Sequence, residues 1–342
     1  MQSQTVPAQT AQSDTAALIR LRYRLADSSE LVALITFLIL FVVFSIFAEN
    51  FLTSLSLTNI VTIASIKGIF VVGVAMLMIS GEFDLSVGST LAVAAYVFAI
   101  TLEGGMPPVP ALLLSLTVSG ILGLINGLIV IRTGIPSFIA TLGTMLAYRG
   151  IARGIGDADF ARYTGERPFL FTILNGELDF INQLSDPAGN ARVAILWFVL
   201  FVILAALVMT RTRYGSWVYA AGGNRDAALA QGVNTKRVIV TNYVIMGLLA
   251  GFAGIVQFAS RPSVDPLRGG GWELIAVAAC VIGGIWLSGG FGTIIGAAIG
   301  IMLLQMVEQG LILIGVDVQL FQATTGFILI LAVISNTYLS KQ

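Results

Sequence analysis

The chain has 342 residues, 57% of them hydrophobic and 11% charged, with 18 acidic and 18 basic side chains that balance to zero. Soluble domains carry about a quarter charged residues, so the composition is that of a membrane protein, and the even charge balance argues against a nucleic-acid binder. With no histidine and one cysteine there is no disulfide framework and no metal, haem or iron–sulfur ligand set to expect.

Residues 1–30 form a polar tail with Arg20, Arg22 and Arg24 ahead of the first apolar run, 31–48, which lacks a small-residue cleavage site and reads as an uncleaved membrane helix. A second span covers 59–80 and is interrupted by Lys67. The turn "GEFDLSVG" (Gly81, Asp84, Leu85, Ser86 and Gly88 among its letters) leads to a span at 86–102. The span at 109–131 carries Asn126 and the small-residue face "GLING", and Pro136 opens the next, 135–152, at a position where its missing N–H costs nothing. That span carries Thr141 and Thr144.

A longer polar segment, about 153–192, follows. It holds Asp157, Asp159, Arg162, Glu166, Arg167, Glu177, Asp179 and Asp186. Its "GIGD" (154–157) superficially matches an intramembrane aspartyl protease signature, but that chemistry needs a second carboxylate from a neighbouring span, and chance is the better explanation. After a span at 193–210 comes the most polar connection between long apolar runs, about 211–237, which includes "GGNRDAALAQGVNTKRV" (222–238). Asn224 is a good N-cap, Asp226 suits a first turn, Ala227, Ala228 and Ala230 favour helix, and Gly232 is placed to stop it.

The remaining spans are 238–259, with "GLLAG" and Gln257; 272–288, with Cys280 as a small packing residue; 291–314, with "GTIIGAAIG", Gln305, Glu308 and Gln309; and 319–339, with Thr324. Ten spans, within a range of eight to eleven, give an all-α polytopic bundle in which 31–340 is one transmembrane domain. "GEFDLSVG" and "GGIWLSGG" (283–290) share letters at matched offsets; a parallel internal repeat and coincidence in a glycine-rich background both remain open.

Lys and Arg counts place both termini and 211–237 in the cytoplasm and 153–192 outside. Ionisable groups inside a membrane are expensive, so Lys67 and Glu308, the one acidic residue read as lying deep in a span, form an ion pair or separately face a polar cavity. Asn126, Thr141, Gln257, Gln305 and Thr324 are candidates for lining a passage for a hydroxyl-rich solute, against the plainer reading of interhelical hydrogen bonding. No phosphate-cradling loop with its lysine occurs, and without histidine there is no His-containing catalytic triad, so the chain reads as a non-catalytic protein that binds no metal.

In order along the chain, "SGEFDLSVGSTLA" (80–92), "IPSFIATLGTMLAYRGIA" (135–152), "GGNRDAALAQGVNTKRV", "GGIWLSGGFGTIIGAAIG" (283–300) and "EQGLILIGVDVQLFQATTGFILILAV" (308–333) resemble the permease subunit of ribose-, xylose- and galactose-type bacterial ABC importers. The resemblance implies a permease pair, of two like or two different copies, in the bacterial inner membrane. It implies a separate ATPase subunit below, which binds ATP and Mg, and a periplasmic solute-binding protein above. In such permeases a short cytoplasmic helix sits in a cleft of the ATPase; here the matching residues are Asn224, Arg225, Asp226, Ala227, Ala228 and Gly232. Two letters depart from the family pattern: Glu82 stands where a second glycine is usual, and Gln309 where Asn is common. The rival class is an ion-gradient-driven transporter or channel, which would need intramembrane carboxylates essential for transport.

Overall fold

The computed structural model describes residues 29–317, apart from 156–159, 185 and 187, together with a few positions between 320 and 330. The expected tenth span, 319–339, lies almost wholly outside the described residues. The protein is an all-α membrane bundle. Its helices are α1 (Ser29–Phe47), α2 (Ser54–Ile79), α3 (Val87–Glu103), α4 (Pro108–Thr133), α5 (Ser137–Ile155), α6 (Phe169–Asn175), α7 (Asp179–Asn182), α8 (Ala194–Arg211), α9 (Arg213–Gly223), α10 (Arg225–Ala230), α11 (Thr235–Ser260), α12 (Trp272–Ile282) and α13 (Ile294–Leu313). A two-residue antiparallel pair, β1 (Ala161–Arg162) with β2 (Ser263–Val264), is the one sheet among the described residues.

Among the described residues, six helices are long and apolar enough to cross a membrane: α1, α2, α4, α8, α11 and α13. Helices are the required answer there, because lipid offers no partner for an open backbone N–H or C=O. α2 is buried along nearly its whole length and forms the centre, whereas α1 shows lipid-facing Leu38, Ile39, Ile46 and Phe47 and packs through Phe44 against Gly310 of α13. The "GLING" and "GLLAG" faces meet each other. A Cβ on Gly247 would lie 3.2 Å from the Gly123 Cα, so α4 and α11 touch backbone to backbone.

Two apolar helices are short, and both begin inside the bundle. α3 has 17 residues and α12 has 11, lengths of about 26 Å and 16 Å at 1.5 Å per residue. Their starts adjoin: a Cβ on Gly269 would lie 2.9 Å from the Gly88 carbonyl oxygen. The loop 261–271 therefore descends into the bundle, where Trp272 stacks on Phe70 at 5.8 Å in the body of α2. Irregular backbone is tolerated at that depth because protein surrounds it.

Two expected boundaries are corrected, and two connections prove to be folded. The span drawn at 272–288 stops at Ile282, because Gly284, Gly289, Gly290 and Gly292 all have positive φ that a continuing helix cannot adopt. Ile285 N–H instead closes the helix on the Cys280 carbonyl at 2.9 Å, and the next helix starts at Ile294 rather than 291. The connection 211–237 contains two helices, α9 and α10. The segment 153–192 is likewise folded, with β1, α6 and α7 held down by Asn175 Nδ2 donating to the Val256 carbonyl at 2.9 Å and Thr62 Oγ1 donating to that of Asn190 at 2.8 Å.

Candidate functional site

At the end of the bundle that carries α9 and α10, the chain between α2 and α3 makes a turn, Ser80–Ser86, in which Ser80, Glu82, Asp84 and Ser86 are buried and the residues between them half-buried. Gly81 supplies the required φ of +83°. Asp84 organises the rest. Its Oδ1 accepts from the Ser86 N–H and Oγ, both at 2.6 Å, and its Oδ2 accepts from Asn126 Nδ2 at 2.9 Å. The Tyr148 hydroxyl is 3.0 Å from Asn126 Oδ1. The open backbone groups of the turn also find side chains: Phe83 N–H donates to Ser137 Oγ at 3.1 Å, Leu85 N–H to Thr141 Oγ1 at 3.0 Å, and Tyr243 OH donates to the Phe83 carbonyl at 2.8 Å. A buried backbone group left without such a partner would cost about 1–3 kcal/mol. The turn is thus bonded to α4, α5 and α11 at once.

α9 leads into α10 and is itself anchored. Tyr214 OH donates to Asn242 Oδ1 at 2.7 Å, Asn242 Nδ2 donates to the Met76 carbonyl at 3.2 Å, and Tyr219 OH donates to the Gly292 carbonyl at 2.8 Å. Burial raises the Tyr214 phenol well above its ordinary pKa, so it remains a donor. α10 begins where its letters predict: Asn224 Oδ1 accepts from the Ala227 N–H at 2.9 Å, and Asp226 lies in the first turn. It ends at Gly232, φ +83°, with the Val233 N–H closing on the Ala228 carbonyl at 3.0 Å. Ala228 faces inward, while Asp226, Ala227, Leu229 and Ala230 are exposed. Replacing Asn224 by Ala removes one cap bond, worth about 1 kcal/mol. The expected result is faster amide exchange across 225–230 with the spanning helices unchanged; unchanged exchange there would refute the cap.

Three segments converge at this end. The Gly290 N–H donates to the Ile79 carbonyl at 2.8 Å, Gly222 sits against that same carbonyl, and a Cβ on Gly289 would lie 2.6 Å from the Gly81 Cα. "GEFDLSVG" and "GGIWLSGG" therefore pack on each other and on the base of α10. Across this junction Arg225 Nη2 meets Glu82 Oε1 at 2.8 Å, with Glu82 7% exposed and Arg225 43%. Glu82 has no positive φ, so a side chain at this position leaves the turn intact.

Among the candidates for lining a passage, Asn126 and Thr141 are fully buried and their polar atoms brace the Ser80–Ser86 turn. Gln305 and the two expected intramembrane charges come together: Lys67 Nζ lies 2.8 Å from Gln305 Oε1 and 2.9 Å from Glu308 Oε2, with the Trp272 ring 5.6 Å away. Gln257 is half-buried, and its Oε1 is buried without a protein partner. Thr324 Oγ1 donates to the Leu320 carbonyl at 3.1 Å. Glu308 is not the one carboxylate inside the bundle. Asp84 and Glu273 are there too, because α3 and α12 start below the surface rather than at it.

Sequence reasoning missed the Arg225–Glu82 pair, the apolar Leu229 displayed on α10, and the role of Arg149, whose Nη1 donates to the Pro266 and Arg268 carbonyls at 2.9 and 2.7 Å and so holds the descending loop. The run of three glycines at 269–271 was the available signal for that loop. At the opposite end, Glu177 pairs with Arg192 at 2.8 Å, Arg162, Glu166, Arg167, Asp179 and Asp186 are exposed, and Asp157 and Asp159 lie outside the described residues.

Comparison with known proteins agrees with this architecture. Residues 56–333 match the family described as the permease component of branched-chain amino acid transport systems. The D-allose transport system permease protein of Escherichia coli is 32% identical over 311 residues, 90% of this chain and 92% of that protein. The ribose import permease protein of Escherichia coli is 34% identical over 305 residues, 88% and 92%. The galactose/methyl galactoside import permease protein of Haemophilus influenzae is 33% identical over 321 residues, 87% and 92%. No solved structure matches. A match over most of the chain, with relatives aligned nearly end to end, makes this multi-pass membrane protein a member of the permease-component family, similar within it to the ribose- and galactose-type ABC importer permeases.

Proposed function

We propose that this chain is the membrane path of an ATP-driven importer for a monosaccharide in a bacterial inner membrane, with α9 and α10 on the cytoplasmic side. A partner subunit binds ATP and Mg and hydrolyses the nucleotide. A solute-binding protein delivers from the 161–193 end, and a second permease copy completes the passage. The chain itself carries no covalent chemistry; its task is to change which end is open when the partner changes state. Relatives that are named for allose, ribose and galactose support a sugar.

The observation that carries the coupling part is α10 itself. It is a capped helix of six residues that displays Asp226, Ala227, Leu229 and Ala230 while its base packs against the 80–86 and 283–290 turns. Leu229, 49% exposed, suits an apolar anchor in a partner's cleft, and the alanines beside it allow close approach.

Purification in mild detergent from the native membrane tests the reading. An ATP-hydrolysing subunit is expected to accompany the chain, and the Leu229→Asp, Ala230→Arg variant is expected to weaken that association at least about tenfold, as loss of a central anchor does. A chain that purifies alone and moves solute on an ion gradient would refute it.

A further inference from the structure

We propose that Glu82 is a positioning residue that ties the docking helix to the bundle, so that displacement of α10 is passed through the Arg225–Glu82 ion pair to the Ser80–Ser86 turn and from there to α3, α4, α5 and α11. This rests on the reading of α10 as the helix that the ATPase grips.

The sparse side-chain packing of α10 beyond its base is the first ground. It has six residues, and Ala228 is the buried one among them. Packing through a single alanine methyl transmits little lateral force. The 2.8 Å contact to Glu82 is the one side-chain ion pair that joins α10 to the bundle among the described residues.

Placement is the second. The Glu82 side chain is 7% exposed and lies beneath α10, whereas the exposed residues of α10 are left free for a partner. A charged pair with one end buried is stronger than a surface pair and holds one geometry. Arg225, 43% exposed, is at the same time the first residue of α10. A tilt of that helix therefore moves its guanidinium first.

Rigidity on the far side is the third. Residues 83–86 are bonded by side chains to α4 (Asn126), α5 (Ser137 and Thr141) and α11 (Tyr243). A pull on Glu82 thus reaches spanning helices through hydrogen bonds rather than through a slack loop. Since the turn forms with Gly81 alone at positive φ, the carboxylate is not needed to shape it. That leaves the pairing as the work it does.

The test uses the whole complex in lipid nanodiscs, with spin labels on exposed Leu146 of α5 and Leu204 of α8, and reads the distance change on adding ATP, Mg and vanadate. Wild type is expected to show a shift. Glu82→Gln is expected to retain the ATPase subunit and to hydrolyse ATP within about twofold of wild type, while the shifted population falls about fivefold or more, the size of an ordinary coupling between sites. Glu82→Gly, which removes the same carboxylate, is expected to behave the same and guards against a folding defect peculiar to Gln. The Glu82→Gln, Arg225→Gln double variant is expected to be no worse than either single one. A wild-type shift in Glu82→Gln, loss of the ATPase subunit from it, or additive effects in the double variant would each overturn the proposal. Absence of any ATPase subunit from the wild-type chain would overturn the docking reading instead, and is seen before any variant is made.

Discussion

Replacing Lys67 by Met destabilises the protein by about 3 kcal/mol, the lower end of what removing one partner of a buried ion pair costs, because Glu308 retains some exposure. Spread over a chain of this length, that lowers the unfolding temperature in detergent by roughly 4 °C. The cause is what Met leaves behind. Glu308 loses its countercharge and Gln305 Oε1 its donor, and both face α2 from α13, where water replaces them only in part. Met has nearly the length of Lys and fills the space, so the loss is electrostatic rather than a cavity. Replacing Glu308 by Met as well removes the stranded charge, and the double variant is expected to recover most of the stability. Buried ion pairs exchanged whole for apolar side chains often cost nothing. Equal costs that simply add would show that the two groups do not interact.

That pair also marks where sequence reading stops. Lys67 and Glu308 stood out as letters, since a charge in an apolar run is conspicuous, but a separation of 241 residues carries no local sign of contact. The same holds for Glu82 and Arg225, 143 residues apart. By contrast α10 was legible from Asn224 to Gly232, because a cap and a stop act within one turn of the chain. The long helices were legible too, since hydropathy over some 20 residues is a local sum. Asn126 and Thr141 show the converse failure. A polar letter in an apolar helix announces a need for a partner but not the direction in which the partner lies, and both turn inward to the Ser80–Ser86 turn. α12 was drawn too long for a related reason: Ile285, Trp286 and Leu287 keep the run apolar, while Gly284 has already turned the backbone at φ +85°.

Gly222→Ala is expected to cost about as much as losing the ion pair, while Gly223→Ala, one residue on, is expected to be near neutral. A Cβ on Gly222 would overlap the Ile79 carbonyl oxygen and stand 2.6 Å from the Gly290 nitrogen, in the path of the 2.8 Å hydrogen bond that joins those two groups. Backbone on both sides cannot swing aside as a side chain would. The methyl must therefore push the end of α9 away from α2 and from the 283–292 connection together, with an overpacking cost of roughly 1–3 kcal/mol and a buried hydrogen bond lost besides. A Cβ on Gly223 meets nothing nearer than 3.9 Å, and Gly223 has no positive φ to defend. Neither substitution touches the exposed face of α10, so both chains should still offer the same surface to a partner. The Gly222 variant separates stability from docking: its melting temperature and its yield of monodisperse protein fall, and whatever ATPase subunit it binds is coupled to a bundle whose 80–86 and 283–290 turns no longer meet. Equal behaviour of the two alanine variants would mean that these segments do not meet at Gly222, and that the base of α10 is held in some other way.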